Sequence, residues 1–290
     1  MASVCTSGVD TGFVALGPAK IALLGVVQGI TELLPISSTA HMRIVPAFLG
    51  WPDPGSAFSA AMQLAALVAV VSYFRQDLRE LACGTLSAVR AGDYRAHAPR
   101  VVLGIILGTI PIVIAGLLLK TKLNACGSSL RELWVIGAAS LVMGLLLAVA
   151  ELVSRHARSF SQIGIIDALI VGVAQVGALI PGVSRSGSTL TAAMFLGLKR
   201  EDAARFSFLL GLPAIFAAGV KELLELHHAG LDAEGWTVLA IGLATASLSA
   251  FVAIWGLMKV MEKLSAWPFV IYRMLMGAFL LFAVYTGLMS

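Results

Sequence analysis

The residues best suited to chemistry lie in two short polar interruptions of otherwise apolar sequence. Glu32 follows Gln28 by four residues, so on a helix the two share one face. The interruption after them contains Pro35, Ser37, Ser38, Thr39 and His41. Because proline ends a helix, this segment is predicted to bring a carboxylate, hydroxyls and an imidazole together. Such a set can move protons or attack an electrophile.

The second interruption adds a cation and further hydroxyls. After Pro181 and Gly182 it contains Ser184, Arg185, Ser186, Gly187, Ser188 and Thr189. The guanidinium of Arg185 is a planar fork of donors that matches phosphate oxygens. The glycines allow close backbone approach, and the N–H groups at the start of the next half-helix favour an anion. We therefore predict an oxyanion or phosphate pocket, although the P-loop pattern is absent.

Membrane helices must position these residues. The 290 residues are 59% hydrophobic and 12% charged, whereas soluble domains have about 25% charged residues. The basic residues are dispersed, so we expect no nucleic-acid partner. Apolar runs of about 20 residues predict spanning helices. Six such runs lie near Ser56–Phe74, Arg100–Leu119, Glu132–Leu152, Ala204–Leu226, Trp236–Met258 and Pro268–Leu288.

The two interrupted segments, Ile21–Leu49 and Ile165–Leu198, are predicted to be re-entrant hairpins. They resemble each other: the sequence around Gln28 recurs around Gln175, and similarity continues downstream. An internal duplication is therefore predicted, with repeats at about 17–153 and 165–288 in a single transmembrane domain, 1–290. Each repeat has one hairpin and three crossings, so the second is inverted. The predicted fold is all-α, with an inverted-topology repeat of six spanning helices and two re-entrant hairpins.

The distribution of basic residues predicts the orientation. Twelve fall on one face: Arg75, Arg79, Arg90, Arg95, Arg100, Arg155, Arg158, Lys199, Arg200, Arg205, Lys259 and Lys263. Six fall on the other: Lys20, Arg43, Lys120, Lys122, Arg131 and Lys221. The more basic face is expected in the cytoplasm, with both termini and the opening of the active site outside. Arg185 and Arg273 fall at membrane depth, and Arg273 is expected to be structural.

A bound anion would be repelled by Glu32 unless that carboxylate is protonated or a divalent cation bridges the two. Mg²⁺ binds through one or two carboxylates and substrate phosphates, so Mg²⁺ or Ca²⁺ on Glu32 is the candidate cofactor. Single members of the Ser/Thr clusters are as well explained as helix caps, except Ser38. Cys5, Cys83 and Cys126 are too far apart to indicate a metal site or a disulfide framework.

Both interruptions resemble signatures of one bacterial family, the undecaprenyl-diphosphatases of the bacitracin-resistance type. The first signature corresponds to residues 28–41 and the second to residues 175–189, and length and span order fit over the whole chain. The resemblance implies hydrolysis of the terminal phosphate of undecaprenyl diphosphate, which regenerates the carrier lipid for cell-wall assembly. It also implies the bacterial inner membrane as location, with the site open to the periplasm.

The resemblance implies roles for individual residues. Glu32, Ser38, His41 and Arg185 are the implied catalytic set. The supporting substrate-binding residues are Gln28, Ser37, Thr39, Ser184, Ser186, Gly187 and Thr189. Because Gln28 is an amide, a metal site that needs two carboxylates on this helix is in doubt. Ser38, His41 and water remain open as the nucleophile, and Ser38 is favoured.

Two other functions fit the same architecture. A lipid-carrier flippase or another transporter is the alternative, because inverted repeats with broken helices are typical of alternating access. An ion channel fits less well with a phosphate-binding pocket. The expected partners are a polyprenyl diphosphate, membrane lipids and, as one candidate oligomer, a second copy of the chain.

Overall fold

The computed structural model describes residues 5–6, 9–119, 130 and 132–288. The fold is helical apart from one antiparallel pair of two-residue strands, β1 (Cys5–Thr6) and β2 (Val9–Asp10). The α-helices of the described ranges are α1 (Gly17–Leu33), α2 (Ser38–Phe48), α3 (Ser56–Tyr73), α4 (Arg75–Arg90), α5 (His97–Leu118), α6 (Leu133–Val153), α7 (Ile165–Gln175), α8 (Arg185–Phe195), α9 (Arg200–His228), α10 (Ala233–Lys263) and α11 (Trp267–Tyr285).

Six stretches of the described chain are long and apolar enough to cross a membrane. Five of them, helices α5, α6, α9, α10 and α11, match predicted spans. The sixth is Gly12–Leu33, which joins α1 to the 3-10 turn before it, and not the predicted span Ser56–Phe74. The chain is therefore a multi-pass membrane protein, and the predicted all-α fold class is confirmed.

The predicted span Ser56–Phe74 corresponds to helix α3, Ser56–Tyr73, which is followed by a sharp bend into α4. Residues Ala57–Tyr73 and Arg75–Ala91 meet at 73° and together count as a seventh candidate span. After the bend, α4 is amphipathic, with Leu81 and Ala88 buried and charged residues elsewhere. A polar helix of this kind turns away from the bilayer core, because its charges are costly there.

Both predicted hairpins form, and they end in the same way. The first consists of α1 and α2, and the second consists of α7, a 3-10 turn at Val176–Leu179, and α8. Each second leg has 11 residues. The residue before it, Ser37 or Ser184, has a φ of 73° or 72°. Such values are uncommon outside glycine, so their recurrence agrees with a duplication. The repeat bounds, 17–153 and 165–288, stay a prediction.

The first leg of each hairpin packs against a helix of the other half. Helix α1 lies along α10, where a Cβ on Gly29 would overlap backbone and side-chain atoms of α10. Helix α7 lies along α5, where a Cβ on Gly172 would overlap the backbone of Gly108. Because glycine permits this close approach, the two hairpins interlock with the opposite halves. This exchange brings the tips of the hairpins together.

Ion pairs join helix ends away from the tips. The buried carboxylate of Glu151 on α6 accepts hydrogen bonds from Nε and Nη2 of Arg200 on α9, at 2.5–3.0 Å. The basic residues Lys120, Lys122 and Arg131, which entered the orientation prediction, lie outside the described residues.

Candidate active site

The tip of the first hairpin presents a carboxylate to a hydroxyl. Helix α1 ends at Leu33, so Glu32 lies in its last turn, and α2 begins at Ser38. The Glu32 carboxylate is 4% exposed. Its Oε2 accepts hydrogen bonds from Ser38 Oγ and from Gln28 Nε2, the latter at 2.9 Å. The predicted convergence of Gln28, Glu32 and Ser38 is therefore present.

The tip of the second hairpin presents a guanidinium. Helix α8 begins at Arg185, and Ser184 caps it by accepting a hydrogen bond from Gly187 N at 3.1 Å. The cap satisfies one of the free N–H groups of the first turn. Arg185 is thus the first residue of its leg, as Ser38 is of the corresponding leg.

The two tips meet at an ion pair that joins residues 153 positions apart. Arg185 Nη2 donates to Glu32 Oε1 at 3.1 Å. Ser186 Oγ donates to Leu34 O at 3.1 Å, which adds a second bond between the tips. The carboxylate therefore contacts the hydroxyl of Ser38 through one oxygen and Arg185 through the other. In this arrangement a hydroxyl and a guanidinium lie on either side of one carboxylate.

Gly211 of α9 leaves open the space that the Arg185 guanidinium occupies. A Cβ on Gly211 would overlap Arg185 Nη1, so only glycine leaves the guanidinium its observed position. Sequence reasoning did not single out this glycine, because its role depends on a residue 26 positions earlier in the chain.

A cavity of about 350 Å³ opens beside the tips. Glu32, Ser38 and Arg185 line it, together with Ser37, Thr39 and Ser184. The other walls are mostly apolar and come from α5 and α9: Ile112, Val113, Gly116, Leu117, Ala214, Ile215, Ala217 and Ala218. Ala178 and Leu179 from the 3-10 turn of the second hairpin also line it, and two more polar side chains, Gln63 and Lys221, complete the lining. A molecule with an anionic head and an apolar chain matches this division of chemistry.

His41 lies close in sequence but points elsewhere. Its Nδ1 donates to Ser37 O at 2.7 Å, and its Nε2 accepts from the Tyr272 hydroxyl at 2.5 Å. The two rings stack with centroids 5.6 Å apart. His41 is not among the residues that line the cavity. No pattern in the sequence pointed to Tyr272 of α11 as its partner.

The remaining predicted residues support the tips. The Thr39 hydroxyl lies 3.2 Å from that of Ser37. Thr189 Oγ1 donates to Arg185 O at 2.8 Å and also bonds Ser207. Gln28, Ser186, Gly187 and Thr189 are outside the cavity lining. Their contacts hold the first leg, the cap and helix α8 in place.

The residues suit a divalent cation only if the substrate supplies ligands. No group of three His, Cys, Asp or Glu side chains that could hold a metal exists in the described ranges. Gln28 Oε1, however, is buried without a hydrogen-bond partner. Carboxylate and amide oxygens are the ligands that Mg²⁺ and Ca²⁺ prefer. Glu32 and Gln28 therefore fit a cation whose other ligands are phosphate oxygens.

Arg273 was expected to be structural, and the structure places it between the hairpin tips. Its guanidinium is buried and donates to Pro35 O in the first tip and to Gly182 O and Val183 O in the second. The signal for it was a charged residue within an apolar span. Its partners could not be found in the sequence, because they are backbone carbonyls.

The fold and site together define a class: a multi-pass membrane protein with a buried ion pair beside a mainly apolar cavity, between the tips of two helical hairpins. Comparison with known families identifies the family to which the chain belongs. The family model described as "Bacitracin resistance protein BacA" matches residues 21–279, and the chain belongs to this family. The resemblance predicted from the two signatures is confirmed.

Named relatives match over most of the chain. A Mesorhizobium japonicum protein named "Undecaprenyl-diphosphatase 2" is 65% identical over 260 residues, which is 90% of this chain and 98% of the relative. Proteins named "Undecaprenyl-diphosphatase" from Synechococcus elongatus and Gloeobacter violaceus are 53% and 51% identical. These alignments cover 91% and 94% of this chain and 92% and 94% of the relatives.

The contact between Gly211 and Arg185 yields a prediction. We expect Gly211→Ala to weaken binding of inorganic phosphate about tenfold, because the new methyl group displaces the Arg185 guanidinium from the cavity. Isothermal titration with phosphate in detergent measures this. Gly256→Ala in α10 is the control, since a Cβ there meets no atom within 4 Å. Equal phosphate affinities in the two variants would contradict the role given to Gly211.

Proposed function

We propose that the protein hydrolyses undecaprenyl diphosphate to undecaprenyl phosphate and inorganic phosphate. The observation that carries this proposal is the ion pair between Glu32 and Arg185, with Ser38 bonded to the same carboxylate, at the polar end of a mainly apolar cavity. The names of the relatives give the substrate. The reaction recycles the lipid carrier of cell-wall synthesis.

The proposed first step transfers the terminal phosphoryl group to Ser38. Arg185 binds oxygens of that phosphate, and Ser38 Oγ attacks the phosphorus while the bond to the bridging oxygen breaks. The hydroxyl proton passes to Glu32 Oε2, to which Ser38 is already hydrogen-bonded. Undecaprenyl phosphate leaves with the electron pair of the broken bond.

The second step releases phosphate. Water attacks the phosphoserine phosphorus and gives up one proton as the bond from phosphorus to the Ser38 oxygen breaks. Glu32 returns to that oxygen the proton that it took in the first step. Inorganic phosphate then leaves. The contacts of His41 with Tyr272 and Ser37 O support Ser38 as the nucleophile, because they engage both ring nitrogens of the imidazole, which does not line the cavity. We therefore assign His41 to positioning the tip.

A divalent cation, Mg²⁺ or Ca²⁺, is part of the proposal. Glu32 and Gln28 Oε1 would hold it with the substrate phosphates. Its chemistry would be to neutralise charge on the phosphate oxygens and so reduce their repulsion from Glu32. Phosphate release measured with added Mg²⁺ or Ca²⁺, and with a chelator, tests this requirement.

Transport of the lipid carrier is the alternative function, favoured by the two matching hairpin tips. A vesicle assay that measures headgroup translocation and phosphate release separately distinguishes the two. Translocation without hydrolysis would contradict the proposed phosphatase activity and support transport.

We also propose that the protein forms a homodimer, which chemical cross-linking in native membranes tests.

Substitution of the nucleophile provides the main test. We expect Ser38→Ala to lower kcat for phosphate release by at least about a thousandfold, since no other hydroxyl in the described residues bonds the Glu32 carboxylate. Ser247→Ala is the matched control, because its hydroxyl bonds only to its own helix, at Leu243 O. Near-normal turnover by Ser38→Ala would exclude Ser38 as the nucleophile and leave water or His41 in that role.

The apolar walls predict selectivity for long chains. Gly116 lines the cavity, and a Cβ there meets no atom within 4 Å, so a large side chain fits without disturbing the fold. We expect Gly116→Phe to raise KM for undecaprenyl diphosphate about tenfold and to affect a C15 diphosphate far less. Gly256→Phe on α10 controls for a bulky aromatic residue in an open position. Equal effects on both chain lengths would place the lipid chain elsewhere.

We further propose that the protein lies in the bacterial inner membrane, with α4 in the cytoplasm and the cavity open to the periplasm. Cys83 of α4 is exposed, and Cys126 lies in a connection outside the described residues. In single-cysteine variants, an impermeant maleimide added to spheroplasts should label Cys126 and leave Cys83 unlabelled until lysis. The reverse pattern would invert the proposed orientation.

A further inference from the structure

Arg273 of α11 bonds to both hairpin tips at once. It is 1% exposed and is the largest of the fully buried side chains. Its Nη1 donates to Pro35 O at 3.0 Å, and its Nη2 donates to Gly182 O at 2.6 Å and to Val183 O at 3.1 Å. Its Nε donates to Ser140 O of α6 at 3.4 Å, which fixes the other side of the guanidinium.

The acceptors lie next to the residues of the site. Pro35 precedes Ser38 by three residues, and Val183 precedes Arg185 by two. One rigid, planar guanidinium therefore sets the spacing between the start of α2 and the start of α8. A lysine could not reproduce this spacing, because its donors radiate from a single flexible ammonium group.

The charge of Arg273 has no carboxylate partner in the described part of the chain. All its described acceptors are backbone carbonyls, and none of the described ion pairs includes it. Arginine keeps its proton in proteins. A buried cation without a counterion is costly, so its retention at this place calls for a compensating role.

The charge balance of the site indicates that role. Glu32 and Arg185 neutralise each other. Lys221 of the cavity lining is paired with Glu225, so the charged side chains of the lining offer no net positive charge to an incoming phosphate. Arg273 adds one positive charge behind both tips, where the surrounding protein screens it less than water would. An anion bound in the cavity beside the tips would serve as the counterion of Arg273.

We propose that Arg273 is a positioning residue of the phosphate site, which aligns Ser38 with Arg185 and supplies the net positive charge that attracts the substrate phosphates. This inference deepens the proposed function and rests on it. Two separable contributions follow: the fork sets the geometry, and the charge sets the affinity for the anion.

The test compares Arg273→Lys, which keeps the charge, with Arg273→Gln, which removes it. We expect Arg273→Gln to raise KM for the lipid diphosphate and the inhibition constant of inorganic phosphate about tenfold or more. Arg273→Lys should keep both within about threefold of the wild-type values and lower kcat, because the fork is lost. Phosphate release by the purified protein in detergent measures all three quantities.

The control is a half-buried arginine remote from the tips. Arg200 pairs with Glu151, so Arg200→Gln should lower the melting temperature without changing the inhibition constant of phosphate. If Arg273→Gln lowers the melting temperature and likewise leaves KM and that constant unchanged, Arg273 is only structural. If Arg273→Gln does not fold, Arg273→Lys decides, since a tenfold rise in its KM contradicts the charge role. Failure of the proposed function would appear instead as no phosphate release by the wild type.

Discussion

Breaking a helix inside a membrane leaves backbone carbonyls and N–H groups without water to bond to. This constraint governs the structure, because the chain contains two such breaks. The protein satisfies them from within: Ser184 caps one half-helix, and Arg273 bonds to carbonyls of both breaks. The interlocked packing of α1 on α10 and of α7 on α5 encloses the tips, so that these bonds replace solvation.

The two hairpin tips contribute opposite charges to one site, as the predicted duplication followed by divergence would allow. Ser38 and Arg185 are each the first residue of a second leg and follow a serine of the same backbone conformation. Gln28 and Gln175 likewise correspond, but the residue four positions later is Glu32 in one half and Leu179 in the other. The first half therefore supplies nucleophile and carboxylate, and the second supplies the cation. A symmetric pair of sites would instead place like charges together, at an electrostatic cost.

The two corresponding glutamines, Gln28 and Gln175, differ in their hydrogen bonds. Both amide atoms of Gln175 are buried without a hydrogen-bond partner, whereas Gln28 Nε2 bonds Glu32. The residue four positions after Gln175 is Leu179, which offers its amide no polar partner.

Patterns of local sequence predicted most of the fold and the centre of the site. Apolar length and proline position located the hairpins, and the four-residue spacing placed Gln28 beside Glu32. The direction of His41 could not be predicted, because it depends on Tyr272, which lies 231 residues away. The span beginning at Ser56 forms as the helix Ser56–Tyr73, but the sharp bend into Arg75–Arg90 could not be predicted, since apolar length does not reveal a bend. Gly211 and Arg273 act through contacts that exist only after the halves interlock.

Glu32 links the resting arrangement to the proposed reaction. Without substrate, its two oxygens satisfy Arg185 and Ser38, so neither group is left unpaired in a buried site. In the proposed mechanism, a phosphate that binds Arg185 takes over the role of Oε1, while Oε2 keeps its bond to the Ser38 hydroxyl. The carboxylate then faces the proton that must leave as the oxygen attacks. In this scheme, binding of the anion releases Arg185 from Glu32 and leaves the Ser38 hydroxyl bonded to its proton acceptor.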